Sequence, residues 1–436
     1  LPGFTLVPSE KKLHSQNFAT KDGFGWNRVR CHSTTRRQTA VKTRSGRGLT
    51  RVSTSQVPFK TGRRLYANSS TNSRETSPIA TNSASASKAT HILVGDIGGT
   101  NARLQLWEVA SGQTDNCTLA FEKFYPTKDF ETFPAVLKQL HGETPGMEVA
   151  AACFAVAGPV DEQVCYMTNL KWVIDGTQLS HSFGYEVAVL NDFEAVGYGV
   201  QFVDEKRVIT LNEGSPKPRA PIAVLGPGTG LGEAHLLWDD LQGNYRVYPS
   251  EGSHADFAPR GWKQRALAQF VEHQLGYCEV ESVGCGAGLE RIYQFLTSDE
   301  GPHSEPLLQI FRASIEESPE ALKKSAPEIS KAALDGSDPI AREAVDMMLS
   351  IVGAEAAHMA LRQLARGGVY IAGGITPKVI DRLNFGGLLA AFLSRKGRFY
   401  EFLETVPLRV ILDEKVGLIG ARVYGLRLLE KARRPS

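Results

Sequence analysis

The stretch Ile92-Leu93-Val94-Gly95-Asp96-Ile97-Gly98-Gly99-Thr100 decides the fold. Its first three residues form a short apolar run that is typical of a buried strand, and the glycines behind them are typical of a tight turn. Beyond the turn, Leu104-Gln105-Leu106-Trp107 leads back out as a second strand. The sequence therefore predicts a strand, a glycine turn and a strand, with order beginning at His91.

The same arrangement occurs a second time further along the chain. It consists of Ile222-Ala223-Val224-Leu225, the turn Gly226-Pro227-Gly228-Thr229-Gly230-Leu231-Gly232, and Ala234-His235-Leu236-Leu237. Glycines without Cβ atoms let backbone N–H groups converge on an anion, so both turns are interpreted as phosphate loops. A single glycine turn could be an ordinary tight turn that binds nothing, but the presence of a second copy weakens that alternative. The second turn has neither the ending of a Walker loop nor the spacing of the dinucleotide-binding motif G-x-G-x-x-G. The presence of two such hairpins predicts that the protein consists of two related halves.

Two further apolar runs between the hairpins end in polar or glycine-containing turns. Val149 to Val156 runs into Ala157-Gly158-Pro159, and Val187 to Leu190 runs into Asn191-Asp192. Because α/β folds place their chemistry at strand ends, these turns are candidate site positions. Asn191-Asp192 could equally be a turn pair that caps the following helix.

A helix and a strand are predicted near the C-terminus. Apolar residues from Val345 to Ala360 follow helical spacing, and Gly367-Gly368 is expected to stop that helix. Val369-Tyr370-Ile371-Ala372 then leads into Gly373-Gly374. A strand that ends on paired glycines suggests a close approach of the backbone to a ligand.

The net charge of +2 over 436 residues conceals two unlike parts. Residues 1–90 carry sixteen Lys and Arg against three acids, a net +13, and the remainder carries 33 basic and 44 acidic residues, a net −11. The acidic body argues against nucleic acid as a partner. The basic, Ser- and Thr-rich segment 1–90 has no apolar period, so it is predicted to be a disordered targeting segment of the transit-peptide kind. A solvated extension or a basic arm is the alternative.

Other sequence features bear on compartment and membrane. The first residue is Leu1 rather than Met. On this ground we conjecture that a signal peptide preceded the targeting segment, as in two-step import into a plastid. The six cysteines form no C-x-x-C pair, so free thiols are expected. No apolar run approaches the ~20 residues of a membrane span, so no membrane insertion is predicted.

Leu93 to Leu104 resembles the opening signature of the bacterial-type glucokinase family. Later motifs of that family are matched in order by Leu190-Asn191-Asp192-Phe193-Glu194-Ala195-Val196, Gly228-Thr229-Gly230-Leu231-Gly232, Glu251-Gly252-Ser253-His254-Ala255-Asp256-Phe257-Ala258-Pro259 and Ile371-Ala372-Gly373-Gly374-Ile375. The resemblance spans His91 to about Leu428. It implies an α/β, two-lobed, actin-like or hexokinase-like (ribonuclease H-like) ATPase fold. We expect a small domain at 91–202 plus 415–436 and a large one at 203–414.

The resemblance also implies an activity and a set of site residues. ATP and Mg²⁺ would phosphorylate D-glucose on its 6-hydroxyl at the entry of glycolysis, with Asp192 as catalytic base. The expected glucose ligands are Asn191, Asp192, Glu251, His254 and Glu281. The expected nucleotide-binding residues are Gly95, Asp96, Gly98, Gly99, Thr100, Asn101, Gly228, Thr229, Gly230, Gly373 and Gly374, and Asp96 would hold the magnesium. A homodimer and a plastid location are expected, with the mitochondrion or cytoplasm as alternatives.

Several alternatives remain open. Glu251 and His254 could be a solvated pair or part of a metal site, and Glu281 could be ordinary surface. Ser282 stands where the family more often has Arg, and Gly284-Cys285-Gly286-Ala287-Gly288 replaces a more usual Leu-Ser-Gly-Pro-Gly run, so sugar selectivity is less fixed than the reaction type. The chain could be a kinase for fructose, mannose or glucosamine. Alternatives from other classes are a non-catalytic sugar sensor and a chaperone-like ATPase.

Overall fold

The computed structural model describes residues 90–110, 117–167, 170–298, 324–383, 387–395 and 397–433. Apart from Thr90, the predicted targeting segment lies outside the described residues. Within them the strands, numbered in chain order, are Thr90–Ile97 (β1), Asn101–Val109 (β2), Cys117–Pro126 (β3), Glu148–Val156 (β4), Val160–Asp161 (β5), Val164–Tyr166 (β6), Val173–Asp175 (β7), Glu186–Asn191 (β8), Val208–Asn212 (β9), Ile222–Pro227 (β10), Leu231–Asp239 (β11), Asn244–Ser250 (β12), Gly368–Ile371 (β13) and Leu408–Ile411 (β14).

Two large sheets repeat one strand order. The first runs β3-β2-β1-β4-β8, and the second runs β12-β11-β10-β13-β14-β9. In each, an antiparallel hairpin (β1 with β2, β10 with β11) is followed by parallel strands on its other side (β4 and β8, β13 and β14). Strand β9 pairs antiparallel with β14, and β5-β6-β7 form a small third sheet. The repeat agrees with the two related halves predicted from the two glycine hairpins, and the predicted α/β class is confirmed.

The helices cover the faces of these sheets. Within the described residues they are Phe133–Glu143 (α1), Gly176–Phe183 (α2), Asp192–Gly199 (α3), Gly261–Leu275 (α4), Glu281–Gly284 (α5), Gly286–Thr297 (α6), Ala326–Asp335 (α7), Pro339–Gln363 (α8), Leu388–Phe392 (α9), Arg398–Glu404 (α10) and Val416–Arg433 (α11). Short 3₁₀ turns occur at Thr127–Asp129, Glu205–Arg207, Gly252–His254 and Thr376–Arg382.

Three apolar cores hold the layers together. Helices α1 and α2 pack against one face of the first sheet, where Phe133, Leu137 and Leu179 are buried. Helices α3 and α11 lie in a second core together with residues of both large sheets. Helix α8 lies in the third core with α4, α6 and α7 and strands of the second sheet. All five described cysteines are free thiols, and Cys31 lies outside the described residues.

Helix α8 ends earlier than the sequence suggested. It stops at Gln363, and Leu364 takes the left-handed conformation (φ 53°) that usually goes to glycine. Gly367 and Gly368 serve a different purpose, since a Cβ on Gly367 would lie 2.6 Å from Cγ1 of Ile222 and Gly368 has φ 126°. The prediction that these glycines stop the helix was wrong, because they form the close-packed entry to β13.

Helix α8 also has the length and apolar composition of a membrane span. Its most apolar window has a mean hydropathy of 1.3, and 78% of that window is buried inside the protein. Side chains from Ile340 to Ala360 belong to the third core. Burial of this kind is what a core helix shows, and it accounts for the composition.

Helices α3 and α11 touch through their backbones. A Cβ on Gly420 would lie 1.7 Å from the Ala195 carbonyl oxygen, and one on Gly199 would lie 2.1 Å from the Val416 carbonyl oxygen. Only glycine permits this approach. Helix α11 thereby returns the C-terminus to β1 and β4 of the first sheet. The exact domain boundaries at 202 and 414 stay a prediction.

Candidate active site

The first glycine turn closes the β1–β2 hairpin. Strand β1 ends at Ile97 and β2 begins at Asn101, which leaves Gly98-Gly99-Thr100 as a three-residue loop between them. The Gly98 N–H donates to the Asn101 carbonyl (3.0 Å), and the Thr127 hydroxyl donates to the Gly99 carbonyl (2.8 Å). These bonds fix the loop, as a preformed phosphate cradle requires.

Gly95 lies inside β1 and not in the turn. A Cβ there would be 2.7 Å from Cδ2 of Leu104 and 2.9 Å from Cδ1 of Phe154, so glycine is needed for packing within the sheet. The neighbouring Asp96 is exposed, as the alternation of a strand predicts. The structure thus assigns Gly95 a packing role, and its contact with a nucleotide stays a prediction.

Asn191 and Asp192 stand at the junction of β8 and α3. Asn191 Oδ1 accepts from the N–H groups of Phe193 (2.9 Å) and Glu194 (3.2 Å), and its Nδ2 donates to the Gly158 carbonyl (3.0 Å). Asn191 is therefore a helix cap, which was the simpler of the two interpretations from sequence. Its capping fixes the backbone from which the exposed Asp192 side chain projects.

The carboxylates of Asp96, in β1, and Asp192, at the start of α3, influence each other. Both side chains are exposed, but the protein around them removes part of their hydration. This desolvation raises the pKa of Asp192 to about 6, the N–H of Phe193 opposes that rise by donating to its Oδ1 (2.8 Å), and the negative charge of Asp96 adds to it. Desolvation likewise raises the pKa of Asp96, and the charge of Arg103 lowers it. A carboxylate whose pKa lies near 6 is suited to general-base catalysis near neutral pH.

The second glycine turn joins β10 to β11 and has the same length as the first. Pairing reaches Pro227 opposite Leu231, which leaves Gly228-Thr229-Gly230 as the loop. The Gly286 N–H at the start of α6 donates to the Gly228 carbonyl (2.9 Å). Gly373, at φ 98°, packs so closely that a Cβ would lie 2.6 Å from the Pro227 carbonyl oxygen. The loop is thus supported by α6 and by the end of β13.

Glu281 lies against this second loop. Its Oε2 accepts from the Leu231 N–H (2.7 Å). A Cβ on Gly230 would fall 2.6 Å from the same oxygen, so the glycine makes room for the carboxylate. The structure thereby places Glu281 in the cleft, whereas an ordinary surface glutamate would point to bulk solvent.

The turn after β12 carries the other two predicted sugar ligands. Glu251 is largely exposed, and the nearest oxygen of its carboxylate lies 3.8 Å from Nε2 of His254. Nδ1 of His254 is 2.8 Å from Oε2 of Glu279, and this hydrogen bond raises the pKa of His254. Glu279 therefore orients the imidazole and favours its protonated form, a function that sequence reasoning did not assign.

Phe193 is a residue to which the sequence assigned no role in the site. Its ring lies where a Cβ on Gly226 would be 2.2 Å from Cε2 and a Cβ on Gly232 would be 2.4 Å from Cγ. Because Phe193 follows Asp192 directly, this contact joins the proposed base to the strands that flank the second loop. Because Phe193 is far in sequence from Gly226 and Gly232, no local pattern could have revealed the contact.

Glu233 is a second residue that the sequence did not single out. It is 2% exposed, lines the cleft, and has an Oε1 without a hydrogen-bond partner among the described residues. Burial raises the pKa of Glu233 to about 7, and the charge of Glu355 adds to the rise. A Cβ on Gly252 would lie 2.3 Å from its Oε2, so this carboxylate packs beneath the turn that carries Glu251.

One cavity of about 500 Å³ collects most of these groups between the carboxyl ends of the two large sheets. Its predicted site residues are Asp96, Asn191, Asp192, Gly228, Thr229, Gly230, Glu251, Glu281, Gly373 and Gly374. Its lining does not include His254, Gly95, Gly98, Gly99, Thr100 or Asn101. Nε2 of His254 lies 3.8 Å from Oε2 of the lining residue Glu251. The size is within the ~300–1,000 Å³ of small-molecule sites. Asp96 and Asp192, the Gly228–Gly230 loop and the side chains of Asn191, Glu251 and Glu281 line this cavity, and together they can position a polyhydroxyl acceptor against a phosphate donor.

Known sequences resemble this chain along most of its described residues. The sequence profile of the family described as Glucokinase matches residues 93–427. The glucokinase of Nostoc sp. (strain PCC 7120) is 38% identical over 348 residues, which cover 78% of this chain and 100% of that protein. The glucokinase of Yersinia enterocolitica is 33% identical over 335 residues, which cover 77% of this chain and 96% of that protein.

Solved structures agree with the fold. A glucokinase from an Antarctic psychrotroph superposes with a TM-score of 0.65 at 26% identity, and covers 77% of this chain and 99% of its own. A glucokinase from Balamuthia mandrillaris gives a TM-score of 0.61 at 22% identity, covering 79% of this chain and 95% of its own, and shows the fold alone. The two-lobed, hexokinase-like fold expected from the motifs is thus confirmed. The extent of the profile match and the identity to curated relatives show that the chain belongs to the glucokinase family.

Proposed function

We propose that the protein transfers the γ-phosphoryl group of ATP to the 6-hydroxyl of D-glucose, giving glucose 6-phosphate and ADP. The observation that carries this proposal is the convergence of Asp192, Glu251 and Glu281 with the Gly228–Gly230 loop in one cavity. Membership of the glucokinase family supports the same activity. The glycine loops offer backbone donors to phosphates, and the carboxylates and Asn191 offer acceptors and donors to sugar hydroxyls.

Asp192 is the proposed general base. The 6-hydroxyl oxygen attacks the γ-phosphorus, the bond from that phosphorus to the β–γ bridging oxygen breaks, and the hydroxyl proton passes to the Asp192 carboxylate. A pKa of about 6 leaves this carboxylate mostly ionised at neutral pH while keeping it basic enough to accept the proton. Because phosphoryl transfer depends mainly on positioning and on charge stabilisation, no covalent enzyme intermediate is required.

Magnesium is proposed to bind through Asp96. The Asp96 carboxylate is exposed in the cleft, supplies the hard oxygen that Mg²⁺ prefers, and repels the charge of Asp192. A divalent cation would relieve this repulsion, so the residues fit the metal. When bound, Mg²⁺ would neutralise charge on the phosphates.

The test of the activity compares Asp192→Asn with Asp161→Asn, an exposed carboxylate on β5, in a coupled assay for ADP release. We expect Asp192→Asn to lower kcat by roughly 10² to 10⁴-fold and Asp161→Asn to leave it unchanged. Binding of glucose without ADP release by the wild-type protein would contradict the proposal and favour a sugar sensor. A panel of glucose, fructose, mannose and glucosamine compared by kcat/KM tests the sugar.

The location and assembly are further proposals. The net +13 of residues 1–90 and their Ser and Thr content support import into a plastid. A fluorescent protein fused behind residues 1–90 should accumulate in plastids, and accumulation in mitochondria or cytoplasm would contradict this.

A homodimer is proposed from the family likeness, and light scattering of the purified protein at several concentrations should return twice the monomer mass.

A further inference from the structure

A second cavity lies away from the proposed active site. It has a volume of about 530 Å³ and lies between α11, the C-terminal end of α3 and the β11–β12 hairpin. Its lining residues include Tyr198, Asp239, Arg246, Tyr424, Arg427 and Lys431. The hairpin belongs to the second sheet, whereas α11 packs on β1 and β4 of the first and α3 lies between the two sheets, so a ligand here would touch elements of both halves.

This cavity has a formal net charge of +1, because Arg246, Arg427 and Lys431 line it against two acids. One of those acids, Asp239, is already engaged: its Oδ1 accepts from the Leu241 N–H (2.9 Å) and the Gln242 N–H (3.1 Å). Its charge is therefore partly offset by the turn's own donors. The other acid, Glu430, raises the pKa of Arg427 less strongly than burial lowers it.

Arg427 is half-buried, whereas Arg246 and Lys431 are exposed. Burial lowers its pKa, which means that the guanidinium has lost hydration that a counter-ion could replace. Its Nη1 donates to the Tyr245 carbonyl (2.9 Å), which uses one of the five N–H groups of a guanidinium. Its Cζ lies 5.1 Å from the centre of the Tyr198 ring, so the planar group is held in a fixed orientation.

Arg246 supplies a cation from β12, and its Cζ lies 5.2 Å from the centre of the Tyr248 ring. Its charge lowers the pKa of Glu194, which lies on α3 outside the cavity lining. Burial raises the pKa of Glu194 to about 7, so this carboxyl is only partly ionised at neutral pH and balances Arg246 incompletely. Guanidinium groups on two walls of one cavity are suited to the several oxygens of a phosphate group.

We propose that this cavity is a second ligand site, which binds the phosphate group of a small metabolite between Arg246, Arg427 and Lys431. The aromatic wall of Tyr198 and Tyr424, whose rings meet edge to face at 5.0 Å, would contact the organic part of such a ligand. The site is separate from the proposed phosphoryl-transfer site and does not depend on that activity.

Isothermal titration of the full-length protein with inorganic phosphate and with glycerol 3-phosphate tests the site. Saturating glucose and a non-hydrolysable ATP analogue keep the active site filled, and the ionic strength is held constant. We expect both probes to bind the wild type. Tighter binding of glycerol 3-phosphate would assign an organic phosphate, and equal binding would assign free phosphate, and both outcomes support the site.

Variants locate the binding. The double variant Arg246→Gln with Lys431→Gln should weaken the affinity by at least about tenfold, because each charge-assisted contact to phosphate contributes on that order. Arg433→Gln changes an exposed cation on the same helix outside the cavity lining and should leave the affinity unchanged. Absence of binding to the wild type up to tens of millimolar, or equal affinity of the double variant and the wild type, would overturn the proposal. Thermal unfolding of each variant checks that it is folded.

Discussion

Substitution of Gly232 by alanine should damage catalysis although residue 232 carries no reacting group. The added Cβ would lie 2.4 Å from Cγ and Cδ2 of Phe193. Carbon atoms in contact prefer about 3.5–4.0 Å, so the ring has to move by more than about 1 Å. Phe193 is bonded to Asp192, and a displacement of about 1 Å at a reacting group costs on the order of 10²-fold in rate.

We expect Gly232→Ala to lower kcat by about 10²-fold and stability by about 1–3 kcal/mol, the usual cost of overpacking. Steady-state kinetics and urea unfolding measure the two effects separately. Gly142→Ala is the matched control, since a Cβ there meets no atom within 4 Å, and it should alter neither quantity by much.

A double-mutant cycle with Phe193→Leu tests the stated cause. Leucine leaves space beside residue 232, so Gly232→Ala should cost much less in the Phe193→Leu background than in the wild type. If Gly232→Ala kept kcat within about threefold of the wild type, or if its cost were the same in both backgrounds, the coupling of Asp192 to this strand through Phe193 would be refuted.

Three other predictions concern ionisable groups. The wild-type kcat/KM should fall about tenfold per pH unit below pH 6 as Asp192 takes up its proton, and a pH-rate profile that stays flat to pH 5 would contradict the assignment of this base. The pKa of Glu233 is about 7 in the folded protein and 4.5 in the unfolded chain, so folding binds a proton and the free energy of unfolding falls as pH rises from 5 to 8. Urea unfolding should show that Glu233→Gln reduces this fall by roughly 2.5 kcal/mol. An unchanged fall would contradict a buried carboxyl without a compensating partner at this position. Glu279→Gln should return the pKa of His254 toward its ordinary value. Steady-state kinetics at pH 7 and 8 should then show a KM for glucose that is several-fold higher, with little change in kcat. A loss of kcat alone would show that Glu279 does not act through glucose binding.

Local patterns in the sequence were sufficient for the hairpins and the strand ends. The runs at Ile92 and Ile222 are apolar because their strands are buried on both faces, and the glycines behind them mark the turns wherever the chain is placed in space. Asn191-Asp192 follows a buried strand, and the end of a parallel strand in an α/β sheet is a site position for topological reasons. These features depend on neighbouring residues, so one sequence is enough to reveal them.

Other features of the structure depend on long-range contacts, and the sequence could not reveal them. The end of α8 at Gln363 was misplaced because the glycines at 367 and 368 meet the backbone near Ile222, a contact that only the folded sheet creates. The burial of Glu233 follows from packing beneath the turn at Gly252, and the orientation of His254 follows from Glu279. Each depends on a partner brought close by the tertiary fold.

The glycines around the second loop have physically different reasons to be glycine, and this distinction changes how the motif is understood. Gly226 and Gly232 leave room for the Phe193 ring, and Gly230 leaves room for the Glu281 carboxylate. Gly228 has no such neighbour, since the nearest atom to a Cβ there is 3.8 Å away. An open position of this kind is free for a phosphate to approach, whereas the packed positions connect the loop to the proposed base and to a proposed sugar ligand. In the proposed mechanism, the packed glycines fix the positions of Phe193 and Glu281, and the backbone donors of the loop would act on phosphate within that fixed geometry.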